Sequence, residues 1–402
     1  MTRGIEATWL WSGDPDDAGV AQGGLVVGDD DRVLAVGDAE ALRRSHCDIR
    51  WERHEGVAIP GLVNARVSLE LSALRGRVAG GRGYVPWLRE LTAATERVEP
   101  DLEAIDAAIS ALVASGTAAI GEVTATGAAI ERLAGMPLVA RVFHEIAGLR
   151  SETAVVIRAM AEEHYESLAL PSNVTLALAP HSLIGLHPQA LAALFDGGGP
   201  LPLPVARSAA ERAFLADGGG PLATWMQERG ADPADWAPPG LAPIAYAHAL
   251  GVVGPAVIAT HLTDAREPEL EVLARLGAHV VLCPRAALHV EVKLPPLTAL
   301  LAAGITPGLG TDSLAASPSL DVLEEALALH RRFPTIAPSV LCAMATSFGA
   351  RALGLEHRLG RIAPGLAPGV LLVEGRTADP LAHVLAQAGR PRRVLVRPGG
   401  AL

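Results

Sequence analysis

At 402 residues the chain exceeds the roughly 250 that a full α/β barrel requires, so one large core with an appendage is the expected organisation. Half of the residues are hydrophobic but only 3% are aromatic, which assigns the core to Ala, Leu and Val. A formal net charge of -11, without any block of Lys and Arg, argues against a phosphate-backbone partner, so no nucleic acid is expected.

Met1 to Pro15 lacks a basic stretch followed by an apolar run and a small-residue cleavage site, and no apolar run of about 18 residues follows. The sequence therefore reads as cytoplasmic, with no membrane partner. Cys47, Cys283 and Cys342 form no C-x-x-C pair, which suits a reducing compartment, and each reads as a buried small hydrophobe.

Residues 1–58 place Gly/Asp-rich turns around the short β-like runs Gly24–Val27 and Val33–Val36. From there to residue 313, eight candidate strands alternate with helical segments: Gly56–Val67, Thr117–Val123, Leu138–Ile146, Val174–Pro180, Leu201–Arg207, Ala256–His261, Ala278–Cys283 and Ile305–Thr311. Between the first two, Leu102, Ile105, Ile109, Leu112 and Val113 recur at helical spacing before Gly116. After the eighth, Ser317 and Pro318 predict a capped helix over Leu320–Arg331, with Leu320, Leu323 and Leu327 as its buried stripe. Residues 360–402 return to the β texture of the start, in Val370–Val373 and Arg393–Val396.

Eight β-then-α units predict an α/β protein, a (β/α)8 TIM barrel over residues 59–358. A small β-sandwich-like domain is expected from both termini, residues 1–58 and 359–402. The fifth strand carries Pro200, Pro202 and Pro204, which remove amide donors that would all point toward one neighbour. That strand should be short or locally detached.

In such a barrel, function sits at the carboxyl ends of the strands. The first strand closes with Ile59-Pro60-Gly61-Leu62-Val63-Asn64-Ala65-Arg66-Val67-Ser68-Leu69-Glu70, followed by Gly116-Thr117, Ala179-Pro180-His181-Ser182 and Leu309-Gly310-Thr311-Asp312-Ser313-Leu314. A further run, Gly360-Arg361-Ile362-Ala363-Pro364-Gly365, leads back to the small domain. In order and spacing these resemble the amidohydrolase superfamily, in its chlorohydrolase and aminopurine-deaminase branch, over nearly the whole chain.

The resemblance implies C–N bond hydrolysis by water activated on a divalent metal. The metal is held in such relatives by a His-x-His on the first strand, a histidine on the fifth and an aspartate on the eighth, with a glutamate to move the proton. Carried onto this chain, His-x-His falls on Arg66-Val67-Ser68, the fifth-strand histidine on Pro204, the glutamate on Arg207 and the aspartate on Asp312. The sixth-strand histidine that assists proton transfer falls on His261.

A guanidinium has no lone pair to give, proline offers no ligand and a serine hydroxyl is a poor one, so no metal and no cofactor are expected. The remaining histidines show no His-x-His or His-x3-His spacing that would rebuild a site.

Arg66 and Arg207 bring positive charge to where the dication would sit. Either they pair with Asp312 in a dead pocket, or they bind an anionic ligand. A retained metal-free reaction would rest on His261 as acid or base and Asp312 as its orienter or water activator.

Ser68, Glu70, Glu145 and His181 are further candidates for the pocket lining. The loop Arg75–Arg97 contributes Tyr84 and Trp87, the latter as a packing anchor or substrate platform. The expected function is that of a non-catalytic homologue that binds a small anionic or heterocyclic molecule, or associates with itself or an active paralogue. The alternative is an atypical hydrolase or deaminase acting on a C–N or ester-like bond without the standard metal.

Overall fold

A computed structural model describes residues 2–96, 99–150, 155–156, 158–160, 162–163, 168–195, 199–230 and 237–399. Met1, Arg97 and residues 400–402 of the segments anticipated above lie outside the described residues. Among the described residues no helix is long and apolar enough to cross a membrane.

The chain begins with four strands of an appended sheet, β1 (Arg3–Leu10), β2 (Val20–Val27), β3 (Val33–Asp38) and β4 (Arg50–Pro60). It returns to that sheet with β14 (Pro368–Glu374) and β15 (Arg393–Pro398), giving the order β15-β14-β4-β1-β2-β3. Ile5, Leu25, Val33, Val370 and Val396, drawn from both chain ends, close on one another as a satellite core. The single run expected over Gly56–Val67 is two strands. Its first part belongs to the end of β4, and β5 (Leu62–Ser68) opens the barrel after Gly61. Both parts are buried, so apolar content alone does not mark the break.

The barrel consists of β5, β6 (Thr117–Thr124), β7 (Val139–Ile146), β8 (Val174–Pro180), β9 (Leu201–Val205), β10 (Val257–His261), β11 (His279–Leu282) and a split eighth strand, β12 (Gly308–Leu309) and β13 (Asp312–Ser313). All neighbours within it pair in parallel, as β13-β5-β6-β7-β8 and β12-β11-β10-β9. Helices between the strands cover the outside. Leu102–Ala114, for example, is capped by the Asp101 carboxylate and buries Ile105, Ile109 and Leu112.

The ladder is interrupted between β8 and β9, and the prolines supply the reason. Leu201 N–H donates to Ala256 O and β9 stays in register with β10 along its whole length, so the amides of Pro202 and Pro204 would have faced β8. Lacking donors, that side keeps only the loop bond from Leu183 N–H to Pro204 O. The fifth strand is thus short and detached on one side only.

At the opposite seam β12 pairs with β11, while β13 pairs with β5. Gly310 lies between them, where an added Cβ would stand 2.7 Å from the Arg66 carbonyl oxygen, so only glycine lets strand 8 cross this close to strand 1. The fully buried Asn64 fastens the seam: it donates to Thr311 Oγ1 at 2.8 Å and accepts from Thr311 N–H at 3.1 Å.

After strand 8 the helix runs over Val322–Arg332, with Asp321 as its cap in place of the expected Ser317. Asp321 also accepts from Arg392, which anchors it, whereas the Ser317 hydroxyl has no partner. Val322, Leu323, Ala326 and Leu329 form the buried stripe, and Leu327 is only partly covered.

Candidate functional site

On β5 alternate residues share a face, so Asn64, Arg66 and Ser68 stack upward toward the mouth of the barrel. Arg66 and Ser68 reach a cavity of about 300 Å³ that also borders Glu70, Tyr84, Trp87, Glu145, His181, Arg207 and Asp312. The volume is at the lower end of the range for small-molecule sites. Of the residues expected from sequence, only His261 lies outside this lining; it is buried beneath it.

Four non-glycine residues at the strand ends hold positive φ: Ala206 (49°), His261 (73°), Leu262 (54°) and Asp312 (61°). Each such conformation costs on the order of 1–3 kcal/mol and persists only where the surroundings impose it. At Ala206 the imposing group is Glu211, whose carboxylate accepts from Ala206 N–H and Arg207 N–H while Ser208 caps the next helix. That clasp aims Arg207 across the mouth.

There the Arg207 guanidinium lies 4.7 Å from the Tyr84 ring centre and 5.7 Å from that of Trp87, whose rings are themselves stacked at 6.4 Å. Trp87 is therefore an anchor and a wall at once. Burial raises the Tyr84 phenol above the ordinary range.

The charges at the floor pair loosely. Arg66 Nε stands 3.4 Å from Asp312 Oδ1, Arg207 Nη2 3.9 Å from Asp312 Oδ2, and Arg66 Nη2 3.9 Å from Glu145 Oε1. None of the three is a hydrogen bond by geometry. Arg66 Nε and Nη1, both shut off from solvent, have no hydrogen-bond partner among the described residues. Burial pushes the Glu145 carboxyl up to about 7, with Arg66 pulling the other way. Burial, then Arg207 and Arg66, hold His181 down at about 4, and the same causes hold His261 well below its ordinary value, so both rings are neutral near pH 7.

Glu70 borders the cavity, but its carboxylate is engaged by the next loop. It accepts from Thr124 Oγ1, Ala125 N–H, Thr126 N–H and Thr126 Oγ1. Sequence reasoning placed it in the lining and missed this duty. It also missed Ser313, which lines the cavity, and Cys283, whose sulfur lies within 4.8 Å of ligand atoms of His261 and Asp312. No local signal marks either; the contacts join segments far apart in the chain.

The residues do not fit a divalent metal. Of the positions on which the resemblance places metal ligands, Arg66 and Pro204 offer no lone pair and Ser68 a poor one. The trio His261, Cys283 and Asp312 is the nearest approach to a donor set among the described residues. Two guanidiniums already lie against its carboxylate, and burial holds the Cys283 thiol in its protonated form.

Residues 57–397 match the model of the amidohydrolase family. The chain belongs to this family. It is 28% identical to a 5-methylthioadenosine/S-adenosylhomocysteine deaminase of Nitratidesulfovibrio vulgaris, over 96% of this chain and 89% of that one. It is also 28% identical to an aminodeoxyfutalosine deaminase of Deinococcus radiodurans, over 83% and 81% of the two chains.

Among solved structures, the Helicobacter pylori aminofutalosine deaminase in complex with methylthio-coformycin superposes with a TM-score of 0.87 at 19% identity, covering 99% of both chains. A mutant atrazine chlorohydrolase of Arthrobacter aurescens, complexed with zinc and atraton, gives 0.76 at 19% identity over 99% of this chain and 96% of that one. At these identities the structural likeness establishes the amidohydrolase barrel. Chemistry has to be argued from this chain's own site.

Proposed function

We propose that this amidohydrolase is a non-catalytic homologue of the deaminase-type members and keeps the barrel mouth as a small-molecule binding site. The observation that carries this reading is the state of Arg66: it stands where a metal ligand would, beside an open cavity, with two buried nitrogens unpartnered. A simple ion pair filling a dead pocket would close the space and saturate the guanidinium, and neither holds here.

The competing reading, metal-free hydrolysis through His261 and Asp312, draws less support. Among the described residues His261 Nε2 has no hydrogen-bond partner, and the residue does not border the cavity, so no observed contact orients it toward a reacting group.

Incubation with 5-methylthioadenosine and S-adenosylhomocysteine, with zinc added, tests the assignment through ammonia release. The expected result is no turnover above that of heat-denatured protein, together with fragment binding at the mouth by ligand-observed NMR. Turnover abolished by a chelator would restore a metal-dependent deaminase. Turnover indifferent to chelator would favour the His261 and Asp312 reading.

A further inference from the structure

Among the described residues, four buried polar atoms of the cavity's lining residues lack a hydrogen-bond partner: Arg66 Nε, Arg66 Nη1, Trp87 Nε1 and Ser313 Oγ. Their three residues are 7%, 3% and 1% exposed, and all three line the same cavity. Guanidinium and indole N–H groups can only donate, and a hydroxyl can do so. Buried donors are rarely left unmade, because each costs the desolvation of the group without its compensation. A set of orphaned donors from strands 1 and 8 and the helix Tyr84–Thr95 after strand 1 is therefore a template for an acceptor-rich group.

Leu71, Leu74, Leu88, Leu91 and Ala94 line the same cavity, so beside its polar groups, which include the carboxylates of Glu70, Glu99, Asp101, Glu145 and Asp312, it offers aliphatic surface. A small inorganic anion would leave that surface uncovered, and a purely apolar molecule would leave the donors orphaned. The volume of about 300 Å³ admits a body about the size of one aromatic ring beyond the head group.

We propose that the mouth of this barrel binds a small amphipathic carboxylate, its head taken by Arg66, Trp87 and Ser313 and its apolar body lying along Leu71, Leu88 and Leu91. The inference rests on the binding-site reading above and names the ligand class for it. Arg207, held by Tyr84 and Trp87, supplies a second cation at the rim. Asp312, 3.4 Å from Arg66 Nε, engages that side of the guanidinium only loosely; Nη1, shut off from solvent in this structure, meets the ligand's head once the guanidinium turns into the cavity.

Calorimetric titration of the full chain with 3-phenylpropionate, its primary amide and acetate tests the class. The acid should bind about tenfold or more tightly than the isosteric amide, as charge-assisted hydrogen bonds require, and acetate should be weaker by a similar factor. Arg66→Gln should remove the preference for acid over amide. Should that variant not fold, Ser313→Ala reads the same donor set and should weaken the acid more than the amide.

Equal affinity for acid and amide would overturn the carboxylate assignment and leave the binding-site reading intact. The same holds if neutral or cationic fragments bind at the mouth while 3-phenylpropionate does not. No binding by fragments of any charge would overturn both.

Discussion

Arginines in two regions of this molecule, buried or half-buried, behave differently. Arg285, outside the mouth, donates from its backbone N–H and Nε to Glu325, from Nη1 to Ser319 Oγ and Glu324, and from Nη2 to the Ser319 carbonyl. Arg392 donates to both oxygens of Asp321 and to the carbonyls of Ser115 and Gln387, leaving only its Nε unpartnered. At the mouth, Arg66 makes no hydrogen bond from Nε or Nη1 and pairs with carboxylates at 3.4 and 3.9 Å. Arginines that hold the fold together are nearly saturated; Arg66 at the mouth is not. On the proposed reading, the difference separates a structural ion pair from a binding group.

The largest expected effect tests that contrast directly. Arg285→Ala strands the fully buried Glu325 and should cost about 3–5 kcal/mol in urea unfolding. Arg66→Met should cost less than about 1.5 kcal/mol, because it removes a desolvated charge that the protein does not repay with hydrogen bonds. Equal costs would erase the distinction.

A second test uses pH. Glu145 keeps its proton in the folded state to about 7 against 4.5 for the ordinary carboxyl, so the folded chain binds more protons between those values. Its contribution to stability is full below about pH 4.5 and is lost as pH rises through about 7. Glu145→Gln should therefore stabilise the protein by about 2–3 kcal/mol at pH 8 and change little near pH 5, as followed by denaturant midpoints. A uniform effect at both pH values would mean that the site does not hold Glu145 desolvated.

The smallest effect concerns the helix after strand 8. Ser317→Ala should shift stability by under about 0.5 kcal/mol, whereas Asp321→Ala, which removes both a cap and the Arg392 partner, should cost several times more. Comparable losses would return the cap to Ser317.

The barrel itself was legible in sequence, because alternating β and helical periods survive in a chain whose core is Ala, Leu and Val. The prolines of strand 5 even announced its broken ladder. Strand 1 was drawn too long, since Val57 to Pro60 and Leu62 to Val67 are equally buried and only the sheet they join separates them. Arg66, Ser68 and Arg207 stand out as departures from the family motif, and Asp312 as a position that keeps it; all four line the cavity. Ser313, Cys283 and the engagement of Glu70 were not legible, because these depend on which strands close the barrel and no short-range pattern encodes that.

The most direct test of the central claim is metal content per chain, measured by elemental mass spectrometry after expression with added zinc, iron and manganese. The two guanidiniums against Asp312 predict less than about a tenth of an equivalent of any of the three. Close to one equivalent would contradict that claim, and would point to His261, Cys283 and Asp312 as ligands of a working metal centre.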